Sequence, residues 1–161
     1  MENLMEARLD IFAHPVASQV VKNIAAAGKP VAESSLPAST SELVVLRASQ
    51  INGCGFCVDM HTKNATKAGE TQQRLHLVAA WREATVFTDA ERAALELAEE
   101  GTRIADSAGG VPDEVWANVT AHFDEEQAGA LLSIVALINA FNRLNVIAQR
   151  PAGDYEPGQF G

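Results

Sequence analysis

The sequence is short of the features that would mark a protein for nucleic acid, for export or for a disulfide scaffold. Twelve lysines and arginines stand against 21 aspartates and glutamates, a formal net charge of −9, and no basic cluster gathers along the chain. Phosphate backbones are offered no electrostatic grip, which sets nucleic acid aside as a partner. The first ten residues carry Glu2, Glu6, Arg8 and Asp10, where a signal peptide needs a basic start and an apolar core. No apolar run of membrane-spanning length is expected, so the sequence predicts a soluble, cytoplasmic protein with no membrane partner. Strand-length runs of β-branched or aromatic residues with alternating polarity are hard to find. Only two cysteines occur, in a chain large enough not to need a disulfide framework. In a reducing compartment such a pair points to catalysis or metal binding rather than to structure.

What is present favours helices. Apolar residues make up 47% of 161 positions, about the size of one domain, and the expectation is an all-α single domain over residues 1–150 with a loose tail at 151–161. Val16, Val20, Val21 and Ile24 repeat at helical spacing after His14-Pro15, and Gly28-Lys29-Pro30 closes that helix. Residues 29–38 read as a connector. Ser39 and Glu42 fit a capping box opening a helix that runs to Asn52-Gly53. A further helix spans Gly55 to Lys67, with Gly69 as its left-handed C-terminal residue. Others are expected from Gln72 to Arg82, from the Thr88–Glu91 capping box to Ser107, and from Pro112 to His122. A last one, capped near Asp124, runs to Arg150. It is apolar over much of its circumference, through Leu131, Ile134, Val135, Ile138 and Phe141, which suggests a homo-oligomer.

The chemistry gathers at Cys54-Gly55-Phe56-Cys57. Cysteines three apart at the start of a helix share one face, and the free amides and dipole of that helix end stabilise a thiolate. His61, four residues beyond Cys57, comes one turn along on the same face and is suited to move the thiol proton. If the helices on either side of Asn52-Gly53 form an antiparallel hairpin, residues equally far from the turn face each other. That register sets Glu42 opposite the stretch from His61 to Ala65, where a carboxylate orients an imidazole.

Glu42, eleven intervening residues, Cys54-Gly55-Phe56-Cys57, three residues and His61 resemble the E-x11-C-x2-C-x3-H signature of the AhpD-like alkylhydroperoxidases, within the carboxymuconolactone decarboxylase superfamily. The stretches Gln50–Cys54, Ala80–Glu83 with Phe87-Thr88, and Ile138–Leu144 are similar to that group as well, so the resemblance covers residues 12 to 150. It implies an all-helical bundle assembled as a dimer, trimer or hexamer, with no metal or organic cofactor. It also implies a peroxidase cycle in which Cys57 attacks a hydroperoxide, Cys54 resolves the sulfenic acid, His61 transfers the proton and Glu42 supports the relay. A dihydrolipoyl or thioredoxin-like protein would then return the electrons. Helix-end electrostatics alone favours Cys54 as the more acidic thiol. Some members carry a histidine where this chain has Phe56, and the decarboxylase branch works without a CxxC.

Other readings of the same residues stay open. Glu42 serves as a structural capping residue if the Ser39 box forms. Cys54, Cys57, His61 and Glu42 are all ligand types that zinc accepts, and a disulfide that only changes packing would make a redox sensor or thiol-switched chaperone. His14, His76 and His122 stand apart from any candidate group. Trp81, Phe87, Phe123 and Phe141 read as core or interface residues, and Asn139 and Asn142 need partners on a neighbouring helix.

Overall fold

Every regular element is a helix among the described residues, which in this computed structural model are 5–160. Residues 1–4, part of the leader reading, and residue 161 lie outside them. The helices are α1 (Pro15–Ala27), α2 (Lys29–Ala32), α3 (Ala38–Ile51), α4 (Gly55–Lys67), α5 (Gln72–Leu77), α6 (Asp89–Thr102), α7 (Asp113–His122) and α8 (Glu125–Ala148). Short 3-10 turns cover Val78–Glu83 and Ile104–Asp106.

The arrangement is built around α3. Leu43 and Leu46 pack with Ala65 of α4, Leu75, Val78, Trp81, Phe87 and Leu95. Val44 faces the other way, into a larger core shared by α2, α6, α7 and α8, while Val45 and Ala48 meet Ile138 of α8. A helix apolar on every side has to be wrapped by others, and burying a side chain such as Leu43 stabilises the fold by about 2 kcal/mol.

Helix ends carry out much of what the spacing predicts. The Thr88–Glu91 capping box forms at α6 and a second, Asp124–Gln127, forms at α8. Gly53, with φ +66°, and Gly69, with φ +97°, follow the last residues of α3 and α4. Each sits where the chain needs positive φ to turn its next amides back onto orphan carbonyls: Gly53 onto Gln50 and Cys54 onto Ser49, Gly69 onto Thr66 and Glu70 onto Ala65.

Several expectations are corrected. The Ser39 capping box does not form: α3 starts two residues earlier, with Pro37 at its N-cap and no side-chain cap, which leaves Glu42 free for another partner. The connector at 29–38 contains the single turn α2. The helix expected over 72–82 breaks into α5 and a 3-10 turn, with Ala80 outside helical geometry. Arg92 stabilises that break by donating to the freed carbonyls of Trp81, Arg82 and Ala84. α6 stops at Thr102 rather than Ser107, Pro112 is an N-cap rather than a first helical residue, and α8 ends at Ala148. His14, assigned no role, caps α1 by accepting the Ala17 N–H at Nδ1.

Two larger corrections concern α8 and the tail. By length and composition α8 is long and apolar enough to cross a membrane, against the expectation that no such run exists. Here it is the longest helix of the bundle, and its asparagines bond to its neighbours. Asn52 donates to the Oδ1 atoms of Asn139 and Asn142, each at 2.9 Å, and Asn142 donates to Ser49 Oγ at 3.0 Å. The tail is not loose. Lys63 Nζ donates to the Gly153 and Tyr155 carbonyls, Gly153 N donates to Asp59, and the Tyr155 hydroxyl donates to Asn64 Oδ1 at 2.9 Å. Residues after α8 thus fold back over α4.

Candidate redox site at the α3–α4 hairpin

The site grows out of the tight turn at Asn52-Gly53. Once Gly53 reverses the chain, Cys54 becomes the N-cap of α4 and its Sγ accepts the Cys57 N–H at 3.3 Å. The two sulfurs are joined as a disulfide, with Cα atoms 5.3 Å apart, inside the span that a bridge requires. An N-cap serine or aspartate would offer an oxygen to this orphan amide; here a sulfur takes that place. The free amides and the dipole of α4 act on Cys54.

Both sulfurs are covered, each cysteine being 1% exposed. They share an apolar cluster with Phe56, Tyr155 and Met60. Tyr155 meets Phe56 edge-on at 6.3 Å, and Phe160 stacks on Tyr155 and on Phe12. The Arg150 guanidinium lies over the rings of Phe12 and Phe56, 4.2 and 4.3 Å from their centroids. Burial there pushes the Arg150 pKa down, partly offset by Asp10. Phe56 is the apolar seat on which the tail rests.

The antiparallel register places Glu42 at His61, with Oε2 3.1 Å from Nδ1. The carboxylate fixes the ring's orientation and favours a proton on that nitrogen. Glu42 also lines a cleft of about 290 Å³ with Ser39, Ala65 and Glu70, and its side chain is partly open to solvent. Among the described residues no hydrogen bond joins His61 to either sulfur. Nor is any group of three or more His, Cys, Asp and Glu side chains there arranged to hold a metal ion; Glu42 is engaged with His61.

Two residues at the site were not singled out in the sequence. Asn145 of α8 reaches Cys57, its Nδ2 lying 3.7 Å from Sγ, and Tyr155 covers the cysteines from the tail. The signals were present but faint: a further asparagine three residues after Asn142 in an apolar helix, and the chain's one tyrosine in a Gly- and Pro-containing tail.

Comparison with known proteins shows the family. The carboxymuconolactone decarboxylase family profile matches residues 19–100. The uncharacterized protein YdfG of Bacillus subtilis (strain 168) is 46% identical over 114 residues, 71% of this chain and 76% of that one. The chain belongs to the carboxymuconolactone decarboxylase family. Another relative, the uncharacterized protein YnjA of Escherichia coli (strain K12), is 33% identical over 68% of this chain and 59% of its own length. Among solved structures, ATU0492 from Agrobacterium tumefaciens is a protein of unknown function provisionally assigned as the antioxidant defence protein AhpD. It superposes with a TM-score of 0.85 at 33% identity, over 93% of this chain and all of that one. An AhpD-core, peroxidase-related protein from Ralstonia eutropha JMP134 (TM-score 0.75, 19% identity, 89% and 74% covered) shares the fold. So does the debrominase Bmp8 (TM-score 0.71, 19% identity, 86% and 76% covered). Within the family the chain is AhpD-like: all-helical, with a CxxC pair at disulfide distance.

Proposed function

We propose that the protein is a thiol-dependent peroxidase that reduces hydroperoxides through a cycle of the Cys54–Cys57 dithiol and disulfide. The observation that carries this reading is a closed CxxC pair at a helix N-terminus, one turn from a histidine held by a carboxylate. In the cycle, the Cys57 thiolate attacks the outer peroxide oxygen. The S–O bond forms as the O–O bond breaks, and the leaving alkoxide takes a proton from His61 to depart as an alcohol. The Cys54 thiolate then attacks the Cys57 sulfenic acid, a disulfide forms, and hydroxide leaves as water after taking a second proton. A dithiol donor, a dihydrolipoyl or thioredoxin-like protein, reduces the disulfide and restores both thiols. Glu42 orients His61 through its contact with Nδ1.

Cytoplasmic location belongs to the same proposal, since the cycle needs a compartment that regenerates thiols. Homo-oligomer formation does too, supported by exposed Leu132 and Ile147 on α8 and Val16 and Val20 on α1. Steady-state consumption of cumene hydroperoxide by the reduced, metal-free protein with dihydrolipoamide as donor tests the function. Sustained turnover that needs both cysteines is expected. Consumption that stops after one equivalent with donor in excess would replace the enzyme by a redox sensor.

A further inference from the structure

α8 carries Asn145 into the core beside the cysteines, where it is 4% exposed. Its Nδ2 donates to the Phe141 carbonyl one turn earlier at 2.9 Å and lies 3.7 Å from Cys57 Sγ. A carbonyl oxygen only accepts, so the amide NH2 has to face Phe141, which decides the orientation of the side chain and leaves its second hydrogen for the sulfur. Asn145 Oδ1 is then a buried side-chain atom without a hydrogen-bond partner among the described residues. Buried acceptors are rarely left so, and one beside a reactive sulfur invites a functional partner.

The two sulfurs therefore have different donors. Cys54 Sγ has the Cys57 amide and the helix end, which on its own would make Cys54 the attacking thiolate. Cys57 Sγ has Asn145. A hydrogen bond to an anion in a buried, low-dielectric site is much stronger than one to a thiol or a disulfide sulfur, so the Asn145 contact tightens as Cys57 is reduced and ionised. We propose that Asn145 is a positioning residue that holds Cys57 as the attacking thiolate through Nδ2, while its open Oδ1 accepts the O–H of the incoming hydroperoxide. The Oδ1 role rests on the peroxidase reading; the thiolate role does not.

The test uses Cys54→Ser, in which Cys57 is the sole thiol. Its alkylation by iodoacetamide is followed against pH with Asn145 intact, and in Asn145→Ala and Asn145→Ser. The serine keeps a donor to the carbonyl one turn back but is too short to reach the sulfur, so it decides the matter if the alanine variant does not fold. Both variants should move the alkylation midpoint up by about one pH unit, slowing reaction below the midpoint about ten-fold. Oxidation by cumene hydroperoxide should fall by a further factor of about five, the worth of one hydrogen bond, because iodoacetamide has no O–H to offer Oδ1. An unmoved midpoint in the folded variants overturns the thiolate role, and equal slowing of the two reactions overturns the Oδ1 role. A midpoint that moves while Cys57 ignores hydroperoxide keeps Asn145 as the thiolate's donor and removes the peroxidase reading instead.

Discussion

Two carboxylates of this protein, Glu99 and Glu42, lie on helices that pack together, and their partners divide structure from chemistry. Glu99 of α6 is buried and fully engaged: Oε1 accepts from Arg47 Nε at 2.8 Å and Trp81 Nε1 at 3.0 Å, and Oε2 accepts from Arg82 at 2.9 Å. Burial alone would raise its pKa, but the bonds from Trp81 and Arg47, with the charges of Arg47 and Arg82, hold it below the ordinary value. Glu91 follows the same pattern, with Arg74 and the Thr88 cap outweighing burial. Glu42 has one partner, His61, and an edge open to a cleft. A saturated carboxylate cements elements together; under the proposed function, one with spare valence beside a titratable ring supports proton transfer. Asn145 repeats the contrast, since Asn142 spends its amide on Asn52 and Ser49 while Asn145 leaves an oxygen free.

The comparison is broken or sharpened most strongly by Cys57→Ser. Turnover should fall by at least about 10³-fold because the nucleophile is lost, with a smaller change in the Tm of the reduced protein than Glu99→Ala causes. Glu99→Ala should do the opposite: leaving Arg47 and Arg82 without their buried counter-charge costs about 3–5 kcal/mol by denaturant unfolding, while the rate per folded molecule stays intact. His61→Gln should slow thiol oxidation at neutral pH about 10²-fold in stopped-flow traces, and Glu42→Gln about ten-fold. If Glu42→Gln cost stability and left the rate unchanged, Glu42 would join Glu99 as a structural group.

Acid should separate the two regions as well. Glu91 and Glu99 titrate below their ordinary value of 4.5 when folded. Their contribution is therefore complete above that pH and is lost as pH falls through the lowered folded-state values. Thermal unfolding should move to lower temperature on acidification below about pH 4.5, and this sensitivity should shrink in Glu99→Gln. The smallest expected effect is Tyr155→Phe, which removes the bond to Asn64 and should cost about 1 kcal/mol by the same unfolding measurement.

The hairpin could be read from sequence because its register depends on counting: spacing from Asn52-Gly53 sets Glu42 opposite the stretch that His61 opens, and the chain turns there because Gly53 accepts positive φ. The boxes at Thr88 and Asp124 were legible for a similar reason, each being local chemistry within one turn. The Ser39 box has the same spacing, yet it failed because Pro37 starts α3 early and His61 competes for Glu42, a contact nineteen residues away. Asn145 and Tyr155 were missed because their roles come from α8 and the tail packing against α4. They lie 88 residues from Cys57 and 91 from Asn64, and no local pattern encodes such contacts. The break at Ala80 was hidden for the same reason, since Arg92 satisfies the freed carbonyls from α6.

The central claim is that hydroperoxide drives this particular dithiol to this particular disulfide, and thiol stoichiometry tests it most directly. Reduced, metal-free protein is mixed with cumene hydroperoxide in a stopped-flow instrument, quenched by alkylation and mapped by mass spectrometry. The account predicts loss of two thiols per peroxide and a single Cys54–Cys57 bridge, with Cys57 alone reaching the sulfenic acid in Cys54→Ser. Two thiols that remain alkylatable after prolonged exposure to peroxide would contradict it.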